Sequence, residues 1–214
     1  MGTPSRKPRQ LSPPSWATYR QSIGDRSALF AAITRVWTPA RALYPGCYLD
    51  ISPSTVIPSV TYVDIDRRAA RYFANHELVA VELEGRTLVG GEADVVFLLS
   101  DYTLPLQLPN AEFDLLISLY AGPVWDHCQQ YLKPQGLLLA NASHGDASLA
   151  ALDPRLELVA AVHNRGDEYR LDRNALDSYL TPKKPMAADP ELIRSNGRGI
   201  AYTRTAFAYL FRLA

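Results

Sequence analysis

Cysteine is scarce in this 214-residue chain, which has only Cys47 and Cys128. Neither stands in a CxxC pair or in a Cys/His cluster with zinc spacing. This pattern argues against a disulfide scaffold and against a structural metal site. A reducing, cytoplasmic setting fits such a composition best.

Net charge is also missing, because 22 basic residues balance 22 acidic ones. A chain without an overall field gives no strong nucleic-acid signal and no attraction to an anionic membrane. No apolar run approaches the roughly 18 residues that span a bilayer. We therefore expect a protein that acts away from membranes, and its oligomeric state stays open.

Glycine is missing where a dinucleotide-binding turn needs it. The segment RALYPGCYLDISPSTVIPSVTYVDID, residues 41–66, begins and ends like a βαβ nucleotide-binding unit, but Gly46 is its only glycine. Such units use several glycines to bring backbone amides close to a pyrophosphate. An adenosine ligand without phosphate needs only a turn that clears its ribose and tail, and an acid beyond the second strand. Asp64 and Asp66, about eighteen residues further on, stand where that acid is expected.

Apolar strand-like runs alternate with helical segments along most of the chain. The runs VVFLL, LLISL and LLLA are apolar on both sides, which is typical of parallel strands covered by helices on each face. The pattern predicts an α/β fold with a doubly wound, mostly parallel sheet. The later segments LELVAAVHN, DEYRLD and AFAYLFRLA are predicted to add strands without crossover helices.

The sequence predicts a tail and one domain. Residues 1–15 are rich in proline, serine and arginine and are expected to form a mobile tail before a single domain at 16–214. Two helices within 16–37, separated at Gly24, precede the first strand, and Asp25 is the expected N-cap of the second. A single helix is predicted over 66–83, with Asp66 as its N-cap. An irregular loop is predicted over about 173–199, where basic residues could form a lid or simply be solvated: Lys183, Lys184, Arg194 and Arg198.

The segments resemble, in order, the motifs of class I S-adenosylmethionine-dependent methyltransferases. LYPGCYLDIS resembles the glycine loop, YVDID the acidic end of the second strand, and LLSDYTLPL the third-strand motif beside adenine. FDLLISLYAG and YLKPQGLLLANAS resemble the fourth and fifth strands. The resemblance runs from about Trp16 to the last strand, which is similar to that family's antiparallel seventh strand. It implies a Rossmann-like methyltransferase fold and S-adenosylmethionine as the cofactor.

The resemblance also implies a set of cofactor-binding positions. Gly46 matches the loop glycine, Asp64 the ribose-binding acid, and Asp101 the adenine-side acid. Where the family usually has an acid at the start of the loop, this chain has Tyr44, and Asp50 could receive the amino group of the methionine moiety instead. Each aspartate could also be a helix cap or a turn former. The full set is Tyr44, Gly46, Asp50, Asp64, Asp101 and Tyr102.

The polar stretch ANASHGDAS, after the fifth strand, is the candidate for catalysis. His144 could remove a proton from a hydroxyl or amine near neutral pH. Asp146 could orient His144, Asn141 could hold substrate, and Tyr120 could face the sulfonium methyl. The alternative is a capping turn in which Ser143 or Asp146 starts the next helix. The other histidines are expected to lie in helices or, for the last, in solvent near a hairpin turn: His76, His127 and His163.

The leading hypothesis is an enzyme that passes the methyl group of S-adenosylmethionine to an oxygen or nitrogen of an unidentified small or macromolecular acceptor. The fourth strand ends in SLYAG, without the [DN]-P-P-[YF] motif of enzymes that methylate nucleobase amines. The alternative is a non-catalytic binding module on the same fold that acts through a protein partner. A nicotinamide dehydrogenase is disfavoured by the missing pyrophosphate glycines.

Overall fold

The computed structural model describes residues 14–87 and 93–214. Almost all of the predicted tail, residues 1–13, therefore lies outside the described residues. The described part begins with α1 (Trp16–Ile23) and α2 (Ser27–Trp37). They separate at Gly24, as predicted, where φ is 83°. The predicted N-cap of α2 is wrong by one residue, because Arg26 occupies that position without a side-chain cap, whereas the Asp25 carboxylate, one residue earlier, accepts from Ser27 N at 2.9 Å.

Within the described residues, eight strands form one sheet in the order β3-β2-β1-β4-β5-β8-β6-β7. Neighbouring strands from β3 to β5 are parallel, whereas β8 runs antiparallel to both β5 and β6. The strands are β1 (Arg41–Pro45), β2 (Ser59–Asp64), β3 (Asp94–Leu99), β4 (Phe113–Ser118), β5 (Leu132–Ala140), β6 (Leu156–Arg165), β7 (Glu168–Asp172) and β8 (Ala208–Leu213).

This topology confirms the predicted fold class. The order runs outward from β1 in both directions, to β2 and β3 on one side and to β4 and β5 on the other. The last strand inserts antiparallel between β5 and β6, and the β6–β7 hairpin completes that edge. The turns after β1 and β4 thus meet at the point where strand order reverses, which is where open α/β sheets bind ligands.

The helix predicted over 66–83 is wrong, because two helices occupy that stretch: α3 (Arg67–Phe73) and α4 (His76–Leu83). Asn75 separates them, since its side chain accepts a hydrogen bond from Leu78 N at 3.1 Å and caps α4. Asp66 caps α3 as predicted, accepting from Arg68 N at 2.7 Å. An asparagine N-cap can thus separate two helices within a segment whose continuous apolar pattern predicts a single helix.

Three further helices lie beyond β4: α5 (Val124–Cys128), α6 (Asp146–Leu152) and α7 (Pro190–Asn196). The predicted irregular loop at 173–199 therefore contains a helix. Asp189 caps α7 through Glu191 N and Leu192 N, and Gly197 ends it in the left-handed region at φ 57°. The sequence contains three signals that are typical of such a helix: an N-cap, a proline at the first helical position and a final glycine.

The sheet has an apolar cluster on each face. One contains Trp16, Phe30 and Phe73 and lies under α1 to α4, and the other contains Trp125 and Phe211. The expectation that VVFLL is covered on both sides is wrong, because β3 is an edge strand with a partly open face. In residues 14–87 and 93–214, no helix is long and apolar enough to cross a membrane.

Candidate functional site

The candidate site lies at the carboxyl ends of β1 to β5, where five turns come together. At the end of β1, Gly46 adopts φ 67° and donates from its N–H to Val63 O at 2.8 Å. A Cβ at this position would lie only 2.5 Å from Ala121 Cβ and 3.6 Å from the Tyr102 ring. The chain's own packing therefore requires the single glycine of this turn. The space beside it, expected to clear a ligand, is filled by the turn after β4.

A buried ion pair closes the β1 end from below. Asp50 is fully buried and Arg26 is 5% exposed. The Arg26 guanidinium donates to Asp50 Oδ2 at 2.9 Å and to Tyr44 Oη at 3.3 Å. Burial lowers the pKa of Arg26, but the neighbouring Tyr44 and Asp50 more than offset it and hold the pKa above its ordinary value.

Asp50 does not face the pocket as expected. Its Oδ2 accepts from Arg26 and from Tyr44 Oη, the latter at 3.2 Å, and its Oδ1 accepts from Ser52 N at 3.1 Å and from Ser52 Oγ. These four hydrogen bonds account for the lone pairs of a carboxylate. The structure therefore leaves Asp50 no capacity for the amino group of a ligand, and it buries Tyr44 in the same network.

Arg26 is the residue that sequence reasoning missed. It precedes α2, far along the chain from the β1 turn, and nothing in the sequence distinguishes it from a surface arginine. Its guanidinium carbon lies 4.9 Å from the centre of the Tyr120 ring. Tyr120 has φ 59° and is 50% exposed. A bulky aromatic residue rarely adopts this backbone, so the strained turn presents the Tyr120 ring at the surface of the site.

The ends of β2 and β3 are open by comparison. Asp64 is partly exposed; its Oδ2 accepts from Tyr48 N and its Oδ1 from Asp66 N, both at 2.8 Å. Each oxygen keeps a free lone pair. Beside it, Ile65 is 67% exposed, and Leu99, the β3 partner of Asp64, is 56% exposed. An accessible carboxylate beside apolar side chains fits a nucleoside, whose base is planar and whose sugar carries hydroxyls.

The turn after β3 contains one exposed and one inward residue. Asp101 is exposed and accepts from Thr103 Oγ1 at 2.7 Å and from Thr103 N at 2.9 Å. These hydrogen bonds lower the pKa of Asp101. Tyr102 instead reaches the β4 turn, where its hydroxyl lies 3.3 Å from both Gly122 N and Gly122 O. Asp101 is therefore available to a ligand at this edge, whereas Tyr102 joins two turns.

Asp146 does not orient His144, contrary to the expectation from sequence. It is the first residue of α6, but the capping alternative is wrong as well, because Gly145 is the N-cap and no side chain caps this helix. Asp146 Oδ2 instead accepts from Val124 N at 2.8 Å, Trp125 N at 3.3 Å and Ser118 Oγ. Burial raises the pKa of Asp146 to about 6. Asp146 therefore fixes the turn after β4 from inside the protein.

Asn141, Ser143 and His144 form a short hydrogen-bonded chain after β5. Asn141 Oδ1 accepts from Tyr120 N at 3.3 Å, Ser143 N at 3.4 Å and Ser143 Oγ at 2.8 Å. Ser143 Oγ lies 2.9 Å from His144 Nδ1. His144 is exposed, and its Cβ would lie 2.7 Å from a Cβ on Gly122. The structure thus brings Tyr120, Asn141 and His144 together, and the Asn141 oxygen braces the loops.

The remaining polar candidates have structural partners or stay exposed. His163 is not solvated as expected, because its Nε2 lies 2.6 Å from Tyr179 Oη. Arg194 donates to Asp126 at 2.6 Å and so attaches α7 to α5. His76 and His127 lie in helices as predicted, and Lys183, Lys184 and Arg198 are exposed. The described residues contain no group of three or more His, Cys, Asp or Glu side chains that could hold a metal ion.

No protein-family profile matches this chain, and no curated protein matches it. Solved structures are similar to it in fold, at low sequence identity. A SAM-dependent methyltransferase of Methanosarcina mazei is 13% identical over 85% of this chain and 96% of that chain, with a TM-score of 0.44. An O-methyltransferase of Bacillus cereus, in complex with SAH, is 11% identical over 69% and 78%, with a TM-score of 0.44.

A third similar structure, of a protein from Methanococcus maripaludis, is 12% identical in sequence, with a TM-score of 0.41. It spans 59% of this chain and 60% of that chain, which is less than two thirds of its length. TM-scores of this size do not indicate a function, so the fold is assigned from this chain's own strand order and strand directions. By that topology, the chain has the Rossmann-like methyltransferase fold, with its antiparallel last strand between β5 and β6.

Proposed function

We propose that this protein is an S-adenosylmethionine-dependent methyltransferase that acts on an oxygen or nitrogen nucleophile. The observation that carries the proposal is a continuous contact across the switch point. Gly46 packs on Ala121, and the adjacent Gly122 packs on His144. A histidine thus stands beside the turns that border the open surface at the ends of β2 and β3. Proton transfer and cofactor binding can therefore be served by one edge of the sheet.

The cofactor would be held mainly through its adenosine half. Asp64 would accept from the ribose hydroxyls, the exposed side chains of Ile65 and Leu99 would cover a face of the adenine, and Asp101 would accept from its amino group. When bound, S-adenosylmethionine supplies an electrophilic methyl group with a good leaving group. The protein then needs to provide alignment and, for a hydroxyl or amine acceptor, a base.

His144 is the proposed base. It is exposed, and the half-exposed Tyr120 is connected to it through Asn141 and Ser143. The acceptor, small or macromolecular, would approach over Tyr120, and its hydroxyl or amine proton would pass to the imidazole. Arg26 and Asp50 would support this surface from below, since the guanidinium packs against the Tyr120 ring.

A second candidate function is a non-catalytic binding module that acts through a protein partner. The observation that favours it is the closed β1 end, where Asp50 and Gly46 are fully engaged by the chain itself. Such a module would bind adenosyl ligands or none, and would transfer no methyl group.

Calorimetric titration of the full chain with S-adenosylmethionine, S-adenosylhomocysteine and NAD tests the cofactor, and transfer of the methyl group of S-adenosylmethionine to an acceptor separates an enzyme from a module that only binds adenosyl ligands. The methyltransferase proposal predicts saturable binding of both adenosyl ligands and no binding of NAD. Binding of NAD alone would contradict it and favour a dehydrogenase. Absence of binding by all three would leave the partner-binding module as the better account.

A further inference from the structure

Asn141, Ser143 and His144 form a hydrogen-bonded chain with a limited number of donor protons. That number determines which imidazole nitrogen of His144 is left without a proton. We propose that Asn141 and Ser143 hold neutral His144 with its proton on Nδ1, so that Nε2 is the nitrogen that accepts a proton. The role of Nε2 in methyl transfer rests on the proposed function, whereas the tautomer itself does not. Asn141 and Ser143 are positioning residues in this account, because they act through His144.

The first step is the orientation of the Asn141 amide. The Asn141 atom facing the turn after β4 receives backbone N–H groups from both Tyr120 and Ser143. A backbone N–H can only donate, and an amide NH₂ group can only donate as well. The atom that meets both must therefore be the amide oxygen. Two backbone donors thus settle an assignment that a side-chain contact alone would leave open.

The second step follows the single hydroxyl proton of Ser143. Because Asn141 Oδ1 is an acceptor, Ser143 Oγ–H donates to it, across 2.8 Å. A serine hydroxyl has only one proton, so Ser143 Oγ must accept from its other neighbour. That neighbour is His144 Nδ1, at 2.9 Å. Nδ1 therefore carries the proton of the neutral ring, and Nε2 carries the free lone pair.

The consequence for chemistry is a base with a defined direction. As the acceptor's O–H or N–H bond breaks, the proton forms a bond to His144 Nε2, and Nδ1–H keeps its hydrogen bond to Ser143. The resulting imidazolium returns its extra proton to water. Nδ1 could not serve as the base without breaking the hydrogen bonds of Ser143.

His163 offers an internal comparison with the opposite proton count. Tyr179 Oη donates to Asp172 Oδ2 at 2.8 Å, and the carboxylate can only accept. Tyr179 Oη must then accept from His163 Nε2, at 2.6 Å. The structure therefore assigns Nε2–H to His163 and Nδ1–H to His144 in the same molecule.

Long-range ¹H–¹⁵N correlation spectra of the ¹⁵N-labelled full chain test this assignment. At about pH 8.5, well above the ordinary histidine pKa of about 6.5, His144 should be in the Nδ1–H form and His163 in the Nε2–H form. His144→Gln and His163→Gln identify the two signals. Ser143→Ala should shift the His144 tautomer ratio toward Nε2–H by roughly two- to tenfold, the effect of one net hydrogen bond.

Two matched variants separate positioning from a general loss of structure. Ser143→Thr keeps the hydroxyl and should restore the Nδ1–H form. Ser59→Ala removes a hydroxyl that donates to Asp94 at the opposite edge of the sheet, and it should leave the His144 signal unchanged. An Nε2–H form of His144 in the parent protein, or a His144 ratio that Ser143→Ala does not move, would overturn the assignment.

The role in transfer has its own readout. Once methyl transfer to an acceptor is measured, Ser143→Ala should lower kcat by roughly two- to tenfold while leaving the affinity for S-adenosylhomocysteine unchanged. An unchanged kcat would overturn that role. If the protein binds no adenosyl ligand, the proposed function fails, but the opposite tautomers of His144 and His163 would still confirm the proton count.

Discussion

The end of β1 and the ends of β2 and β3 belong to the same edge of the sheet, but they differ in how their polar groups are satisfied. At β1, Asp50 is fully buried and its lone pairs are used by Arg26, Tyr44 and Ser52. At β2, Asp64 is partly exposed and keeps lone pairs free, beside an exposed Ile65. The β1 end is closed by the protein, and the β2–β3 end is open to a ligand.

This difference shows why spacing alone identifies only part of a site. A residue can have the sequence spacing that a binding site requires and still have all its hydrogen-bonding groups used by a partner from elsewhere in the fold. Variants of Arg26 and Asp64 test the two ends directly, and a variant of Asp146 tests a second closed region, at the start of α5.

The largest effect is expected from Arg26→Ala. Removing one partner of a buried ion pair leaves an uncompensated charge, which typically costs about 3 to 5 kcal/mol. The free energy of unfolding from urea denaturation should fall by about that amount. In the double variant with Asp50→Ala, the loss should be smaller than the sum of the two single losses, because no buried charge is left alone.

The matched control for Arg26 is Arg68, which pairs with Asp66 at 2.7 Å on the surface. Arg68→Ala should have little measurable effect, since exposed pairs contribute little. Equal effects of the two arginine variants would mean that the β1 end is not closed by its ion pair.

Asp146 provides the next largest effect, because its carboxylate is buried and no cation among residues 14–87 and 93–214 pairs with it. Its pKa of about 6 exceeds the unfolded value of 3.8, so the folded protein binds the proton more tightly. The stability from this group is complete below about pH 4 and is lost as the pH rises through 6. The loss is about 3 kcal/mol for a shift of about two pKa units.

Asp146→Asn should remove this pH dependence, as measured by the difference in unfolding free energy between parent and variant from pH 2 to pH 8. Asp153→Asn is the matched control of opposite sign. Hydrogen bonds from Arg155 lower the pKa of Asp153 to about 2, so its stabilisation is present above about pH 4 and disappears toward pH 2. Profiles of the same sign for both variants would contradict the burial of Asp146 without a counter-ion.

A smaller effect is expected from Asp64→Ala at the open end. Loss of a charged hydrogen-bond partner for the ribose should weaken S-adenosylhomocysteine binding by about 1 to 3 kcal/mol, measured by calorimetry on a protein that stays folded. Asp94→Ala, at the start of β3, is the matched control and should bind normally. If Asp64→Ala binds as well as the parent, Asp64 is not part of the site.

The sequence was sufficient for the parallel strands and for the position of one acid. The apolar runs predicted those strands, and Asp64 lies at the carboxyl end of β2, as its spacing from Gly46 predicted. The closed end was not predictable, because its decisive residue, Arg26, comes from another element and its burial depends on tertiary packing. The role of Asp146 was missed for the same reason, since its partners Val124 and Trp125 lie at the start of another helix, α5.

We propose that the open β2–β3 end holds the nucleoside half of the cofactor. The most direct test is a competition titration in which adenosine displaces bound S-adenosylhomocysteine. We expect adenosine alone to displace S-adenosylhomocysteine completely, although at higher concentrations than S-adenosylhomocysteine itself requires. If S-adenosylhomocysteine binds and adenosine does not compete with it at any concentration, the nucleoside half is not held there, and the claim is wrong.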